Sequence, residues 1–203
     1  MSEDLNIAAL VLAAGSGSRS GASLPKQYRV LAGKPLLAHS LEAMRAFGRI
    51  GTVVLVVPLG GADDARAALG AAFGDVLVVE GGETRRLSVR NGLEALAGMD
   101  VPLGHVLIHD SARRILPVGV LERLIAALEA GASGAMPVLP VADTLVVAQA
   151  DLSGEVVDRA SLRRAQTPQA FDFAVILSAH RDWDPASEPT DDGQMLPPFR
   201  RGV

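Results

Sequence analysis

Two cations, Arg19 and Lys26, sit within and just after a run of glycines and serines that interrupts an apolar segment: Leu10 to Tyr28 reads LVLAAGSGSRSGASLPKQY. A strand that opens into small residues can turn its backbone N–H groups towards one point and form an anion-binding nest. Cations that follow such a nest suit a polyphosphate whose charge shifts during a reaction. Two common phosphate loops are excluded by spacing. No G-x-x-x-x-G-K-[ST] string occurs, and Gly15, Gly17 and Gly21 do not match G-x-G-x-x-G. The segment Thr52–Val57 also lacks the terminal acid that would hold a ribose.

These residues need a scaffold that brings strand ends to one place. Short apolar runs, expected as strands, occur at Ile7–Leu12, Thr52–Val57, Val76–Val79, Val106–Ile108 and Ala135–Val138. Ala/Leu-rich stretches between and after them are expected as helices: Pro35–Phe47, Asp63–Phe73 closed by Gly74, Thr84–Leu96, Val120–Ala130 and Phe171–His180. This alternation predicts an α/β fold, a mostly parallel sheet with helices on both faces. Ligands of such sheets bind at the carboxyl ends of the strands, where the glycine loop lies. From Pro140 the rhythm changes. Thr144–Ala148 and Glu155–Asp158 flank Asp151-Leu152-Ser153-Gly154 and predict a projecting β-hairpin arm over about residues 140–160. A single domain over residues 1–192 and an irregular tail over 193–203 are expected.

Further motifs follow the loop in order. They are Pro25-Lys26-Gln27-Tyr28, Ala38-His39-Ser40, Gly81-Gly82-Glu83-Thr84-Arg85 with Ser88, His109-Asp110-Ser111-Ala112-Arg113, Pro140 to Thr144, Asp158-Arg159, Gln166 to Phe171 and Thr190-Asp191-Asp192. Together they resemble the 2-C-methyl-D-erythritol 4-phosphate cytidylyltransferases over Ile7 to Asp192. The resemblance implies a three-layer, Rossmann-like nucleotide-diphospho-sugar transferase fold. It also implies transfer of CMP from CTP to a polyol phosphate, with release of pyrophosphate, in non-mevalonate isoprenoid synthesis. By that resemblance Arg19 and Lys26 are the catalytic cations, and Ala13, Ala14, Gly15 and Gly17 cradle the CTP phosphates. Gly81, Gly82, Glu83 and Ser88, with Arg85 beside them, match the cytosine and ribose site. Asp110 matches the acid associated with Mg²⁺ or another divalent cation. Arg113, Thr144, Arg159, Thr167 and Thr190 match acceptor-binding positions, and the arm is implied to pair two subunits into a homodimer.

The chemistry implied needs no general base. A phosphate monoester, with its second pKa near ~6, is already mostly a dianion at neutral pH. Two polyanions must be brought together in line, so positioning and charge neutralisation carry the reaction. The paired glycines are expected to let backbone approach a small cytosine ring and to offer a carbonyl to its amino group. His180 is expected to be an exposed helix-end residue, and Arg85-Arg86 a solvated face.

Composition narrows partners and compartment. Hydrophobic residues make up 49%, charged residues 21% and aromatics 3% of the chain, and the net charge is −4. No basic tail or aromatic platform speaks for nucleic acid, and no apolar run approaches a membrane span. The absence of cysteine suits a reducing compartment, and a cytoplasmic location is expected. The chain departs from the family pattern at Arg114, where a proline is usual, and at Ala142, where a basic residue is usual. It also ends in GQMLPPFRRGV, where the family continues into an Asn-x-Lys-x-Thr strand and a closing helix. The chain is therefore expected to be truncated or the front portion of a longer, bifunctional protein. Rival readings are a ribitol-5-phosphate cytidylyltransferase, a sugar-1-phosphate nucleotidyltransferase, and an inactive binding or scaffold homologue.

Overall fold

The computed structural model describes residues 6–15, 26–148 and 154–196. In chain order its elements are β1 (Ile7–Leu12), β2 (Val30–Leu31), β3 (Lys34–Pro35), α1 (Leu36–Ala46), β4 (Ile50–Val57), α2 (Ala62–Leu69), β5 (Leu77–Glu80), α3 (Arg85–Ala97), β6 (His105–Asp110) and α4 (Val118–Glu129). There follow β7 (Gly134–Ala135), β8 (Val138–Pro140), β9 (Leu145–Ala148), β10 (Gly154–Val157), β11 (Arg163–Ala165), β12 (Gln169–Asp172) and α5 (Phe173–Asp182).

A six-stranded sheet runs β5-β4-β1-β6-β12-β7. The pairs β5/β4, β4/β1 and β1/β6 are parallel, while β12 is antiparallel to both β6 and β7. Residues of β1 alternate between two cores. Ile7, Ala9 and Val11 pack in the cluster that includes Leu37, Leu41, Leu121 and Ile125 of α1 and α4. Ala8 and Leu10 pack with Val89, Leu93 and Leu96 of α3 and Ile176 and Leu177 of α5. The near-continuous apolar strands are thus covered on both faces, as a central parallel sheet requires.

Helix α3 lies close to the sheet because Gly92 has no side chain. A Cβ there would stand 2.3 Å from Leu10 Cδ1 and 2.9 Å from Val56 Cγ2. Gly92→Ala should gain helix propensity but overpack a fully buried seam, for a net loss of about 1–3 kcal/mol. A lower urea midpoint with an unchanged m-value would report that loss, and a variant as stable as wild type would refute it.

Several sequence expectations need correction. The helix expected over Asp63–Phe73 ends at Leu69, because Gly70 takes a left-handed φ of 67°; Ala71–Phe73 forms a separate 3-10 turn. The strand expected over Ala135–Val138 divides. Gly134–Ala135 edges the main sheet, whereas Val138–Pro140 pairs with β11 in a two-stranded sheet. Phe171 is not helical. It lies buried in β12, and Asp172 caps α5 by accepting the Val175 N–H at 3.0 Å. The packed body also continues beyond Asp192: residues Asp192–Met195 form a 3-10 turn, and Met195 and Leu196 are buried. Met195 and Leu196 are apolar, and their burial draws this turn against the body.

The arm is present as the antiparallel pair β9/β10, with Ala148 opposite Gly154 and Leu145 opposite Val157. The expected turn residues 151–153 lie outside the described residues. Val146, Val147 and Val156 are exposed on this ribbon.

Candidate active site

The order of the parallel strands reverses at β1, whose neighbours are β4 on one side and β6 on the other. Open α/β sheets form their ligand crevice at such a point, beyond the carboxyl ends of the strands. Leu12 and Asp110, the last residues of β1 and β6, are register partners. The glycine loop and the acid therefore leave the sheet side by side. A cavity of about 630 Å³ opens there, lined by residues that include Ala13, Ala14, Gly15, Gly82, Glu83, Arg85, Ser88 and Asp110. That volume is of the size that takes a small-molecule ligand.

Backbone hydrogen bonds fix the rim. Ala13 N–H donates to the Val56 carbonyl (2.7 Å), Gly81 N–H to Val57 (2.7 Å) and Ser111 N–H to Leu12 (2.9 Å). The buried Gln27 amide donates to the Ala13 carbonyl at 2.9 Å. That contact returns the chain to the end of β1 after the loop, and it sets where Lys26, the first residue of the 3-10 turn Lys26–Tyr28, leaves it. Arg19 and Gly17 lie outside the described residues.

The opposite wall is the start of α3. Thr84 caps the helix by accepting the Leu87 N–H at 3.2 Å. Ser88 Oγ accepts the Gly82 N–H at 3.1 Å and stands 2.9 Å from the Thr84 carbonyl, to which it donates. The N-terminus of a 13-residue helix thus opens on the cavity and favours an anionic ligand. The paired glycines also have a packing role. A Cβ at Gly81 would meet Ser88 Oγ at 2.5 Å and Ala14 Cβ at 3.0 Å, and one at Gly82 would meet Leu87 Cβ at 2.5 Å. Small residues are needed here for the strand-to-helix turn to fold against α3.

The acid is held by basic and neutral neighbours. Asp110, 35% exposed in its side chain, has Arg85 Nε 3.8 Å from Oδ1 and Arg113 Nε 3.5 Å from Oδ2. Its backbone N–H donates to Thr167 Oγ1 at 3.2 Å. Thr167 Oγ1 is in turn 3.2 Å from His109 Nδ1, and His109 Nε2 is 3.0 Å from the Arg113 carbonyl. Burial pushes the His109 pKa down from 6.5 to about 4, against the opposing charge of Asp110 and the bond to Arg113. A neutral ring with Nε2–H donating to Arg113 lets Nδ1 accept from the Thr167 hydroxyl. Arg113 and Thr167 are thereby fastened to β6.

This burial has a pH signature. The folded-state pKa lies below the unfolded one, so His109 contributes stability that is full above about pH 6.5 and is lost as pH falls towards 4. At 1.36 kcal/mol per unit the loss is roughly 2–4 kcal/mol. Urea unfolding of wild type and His109→Asn between pH 7.5 and pH 4 should show the stability gap narrowing as pH falls. A gap independent of pH would refute the assignment.

The sequence matches the family model described as IspD, 2-C-methyl-D-erythritol 4-phosphate cytidylyltransferase, over residues 7–199. The chain belongs to this cytidylyltransferase family. A bifunctional enzyme IspD/IspF of Rhizorhabdus wittichii is 51% identical over 192 residues, covering 94% of this chain and 48% of that protein. A 2-C-methyl-D-erythritol 4-phosphate cytidylyltransferase of Cereibacter sphaeroides is 47% identical over 177 residues, covering 87% of this chain and 77% of that one. The chain spans about half the length of the bifunctional relatives. Among solved structures, the Thermus thermophilus 2-C-methyl-D-erythritol 4-phosphate cytidylyltransferase superposes with a TM-score of 0.73 at 32% identity, covering 94% of this chain and 83% of that one. The bifunctional IspDF of Campylobacter jejuni superposes with a TM-score of 0.77 at 26% identity, covering 94% and 46%.

Of the positions that the resemblance assigned, the fold gathers Ala13, Ala14, Gly15, Gly82, Glu83, Ser88 and Asp110 around the cavity, with Gly81 directly behind Ser88. Arg113 and Thr167 adjoin Asp110. Thr190 is fastened elsewhere: its N–H and hydroxyl reach Gln194 Oε1 at 2.9 and 3.2 Å. Thr144 and Arg159 lie at the base of the arm rather than in the cavity wall, and Arg159 donates to the Ala142 carbonyl.

Two expectations fail here. His180 is fully buried, because α5 turns it towards Asp192. Arg86 is buried against Glu188, and Arg85 contacts Asp192, so this pair is no solvated face. Gln27, Thr84, Ser111 and Ala112 also line the cavity without having been assigned a role. Thr84 carried a readable signal, a capping residue before an apolar-periodic helix. The Gln27 contact depends on the returning loop and leaves no local pattern.

Proposed function

We propose that this chain transfers CMP from CTP to 2-C-methyl-D-erythritol 4-phosphate, within non-mevalonate isoprenoid synthesis. The observation that carries the reading is the register pairing of Leu12 with Asp110, which sets the glycine loop and the acid at adjacent strand ends facing the start of α3. A phosphate oxygen of the acceptor attacks the α-phosphorus, the α–β bridging P–O bond breaks, and pyrophosphate leaves. Ala13, Ala14 and Gly15, with the N-terminus of α3, cradle the nucleotide phosphates. Arg19 forks across two oxygens and Lys26 adds a compact charge as negative charge builds up. Arg113 and Thr167 orient the acceptor phosphate.

Mg²⁺ or another divalent cation fits this site only together with the nucleotide. Among the described residues no cluster of three or more His, Asp or Glu could hold an ion alone. Asp110 offers one partly exposed carboxylate, and Mg²⁺ is commonly held by one or two carboxylates plus substrate phosphates. Such an ion would supply charge neutralisation between the two polyanions.

The exposed valines of β9 and β10 support pairing with a second copy through the arm, which would bring Thr144 and Arg159 to the partner's acceptor site. Among the described residues no helix is long and apolar enough to cross a membrane, and with the cysteine-free composition this supports a cytoplasmic location.

A pyrophosphate-release assay with CTP, Mg²⁺ and each acceptor tests the reading. Release with 2-C-methyl-D-erythritol 4-phosphate, and not with ribitol 5-phosphate, is expected, as is a preference for CTP over UTP and GTP. Preference for ribitol 5-phosphate would move the chain to that acceptor. No release with any acceptor, from a folded dimer, would favour an inactive homologue.

A further inference from the structure

Asp192 is 1% exposed, yet its carboxylate is flanked by Arg85 and His180. Burial alone would raise its pKa, but contact with His180 and Arg85 outweighs that and holds the carboxyl below the usual range. His180 Nε2 lies 3.3 Å from Oδ1, and Arg85 Nη2 lies 2.7 Å from Oδ2. The same guanidinium, through Nε, is 3.8 Å from Oδ1 of Asp110 in the cavity wall. Arg85 therefore stands between two carboxylates. Its short contact is with the buried one, in the lower-dielectric surroundings where attraction is stronger. Its long contact is with the acid that faces the ligand.

An arginine freed from Asp192 would close on Asp110. Arginine and carboxylate pair readily through two parallel N–H···O bonds. That geometry would engage both carboxylate oxygens and leave neither free for a cation, and Arg113, 3.5 Å from Oδ2, already competes for one of them. We propose that Asp192 is a positioning residue: backed by His180, it holds the Arg85 guanidinium off Asp110 and so keeps that carboxylate open to a divalent cation arriving with the nucleotide. This rests on the proposed function in assigning Asp110 to the cation. It adds a residue outside the cavity wall, on a turn contributed by the last part of the described chain.

The test is Mn²⁺ binding in the presence of CTP and without acceptor, followed by electron paramagnetic resonance, for wild type, Asp192→Asn, Arg85→Met and the double variant. Asp192→Asn should weaken Mn²⁺ binding on the order of tenfold, the scale of losing a residue that orients a metal ligand. At saturating CTP, Arg85→Met should bind Mn²⁺ at least as tightly as wild type, because the competitor is gone. The double variant should recover the affinity that Asp192→Asn loses. A double variant as weak as Asp192→Asn, or an unaltered Asp192→Asn, would overturn the proposal. Weaker binding by Arg85→Met would overturn it even if Asp192→Asn failed to fold. Wild type that binds Mn²⁺ with CTP but transfers CMP to no polyol phosphate would sink the proposed function and leave this inference standing. Binding unchanged by Asp110→Asn would sink both.

Discussion

Asp110→Asn is expected to lower the rate of CMP transfer on the order of 10²–10³-fold, the scale of removing one preorganised charge contact from a transition state. The side chain is about one-third exposed, and its arginine neighbours stand at 3.5 and 3.8 Å, so its ion pairs add little to folding. The substitution keeps the shape and removes the charge. It leaves Arg85 and Arg113 facing the cavity without a balancing anion, and it removes the one carboxylate assigned to the cation. The backbone N–H bond to Thr167 does not depend on the side chain. The loss should therefore appear in kcat, with CTP still bound and the urea midpoint close to wild type. Wild-type turnover in the variant would take Asp110 out of the reaction.

Lys26→Met should have an effect of similar size, on the order of 10²–10³ in kcat. The next residue, Gln27, is anchored to the Ala13 carbonyl beside Ala14 and Gly15, so the backbone of Lys26 begins beside the proposed phosphate cradle. Methionine keeps the length of the side chain and deletes the point charge. Arginine is expected to recover only part of the rate, because a flat five-donor fork is a poor substitute for a compact ammonium. Michaelis constants for CTP should move less than kcat, since the charge is needed most as the pyrophosphate separates. If only the Michaelis constant for CTP rose, Lys26 would be a ground-state contact instead.

The parallel half of the sheet was readable because its strands are continuous apolar runs. Ile7–Leu12 and the neighbourhood of Thr52–Val57 fall where the pattern puts them. The antiparallel half was not. Gln169 to Asp172 is a four-residue strand next to a helix, too short for a period to separate the two. Val138–Pro140 leaves the main sheet for a partner, Arg163–Ala165, that carries two arginines and no strand signature. In the site, Asp110 was legible as an acid at a strand end. The company it keeps was not: Arg85, Thr167 and, through Arg85, Asp192 arrive from distant segments, and no local spacing encodes their meeting. His180 misled for the same reason, since the partner that makes its burial tolerable lies on a turn after α5.

Residues of the cavity wall are held by partners from later in the chain, and this orders its maturation. Everything up to α4 suffices for the four parallel strands and the glycine loop. Asp110 nevertheless waits for Thr167, 57 residues later, and Arg85 waits for Asp192. Domains emerge from the ribosome amino end first. A nascent chain would therefore carry a nearly complete scaffold in which the surroundings of Asp110 and Arg85 are finished last. Mn²⁺ capture with CTP by stalled chains of increasing length would consequently act as a clock for the moment the Asp192 turn docks.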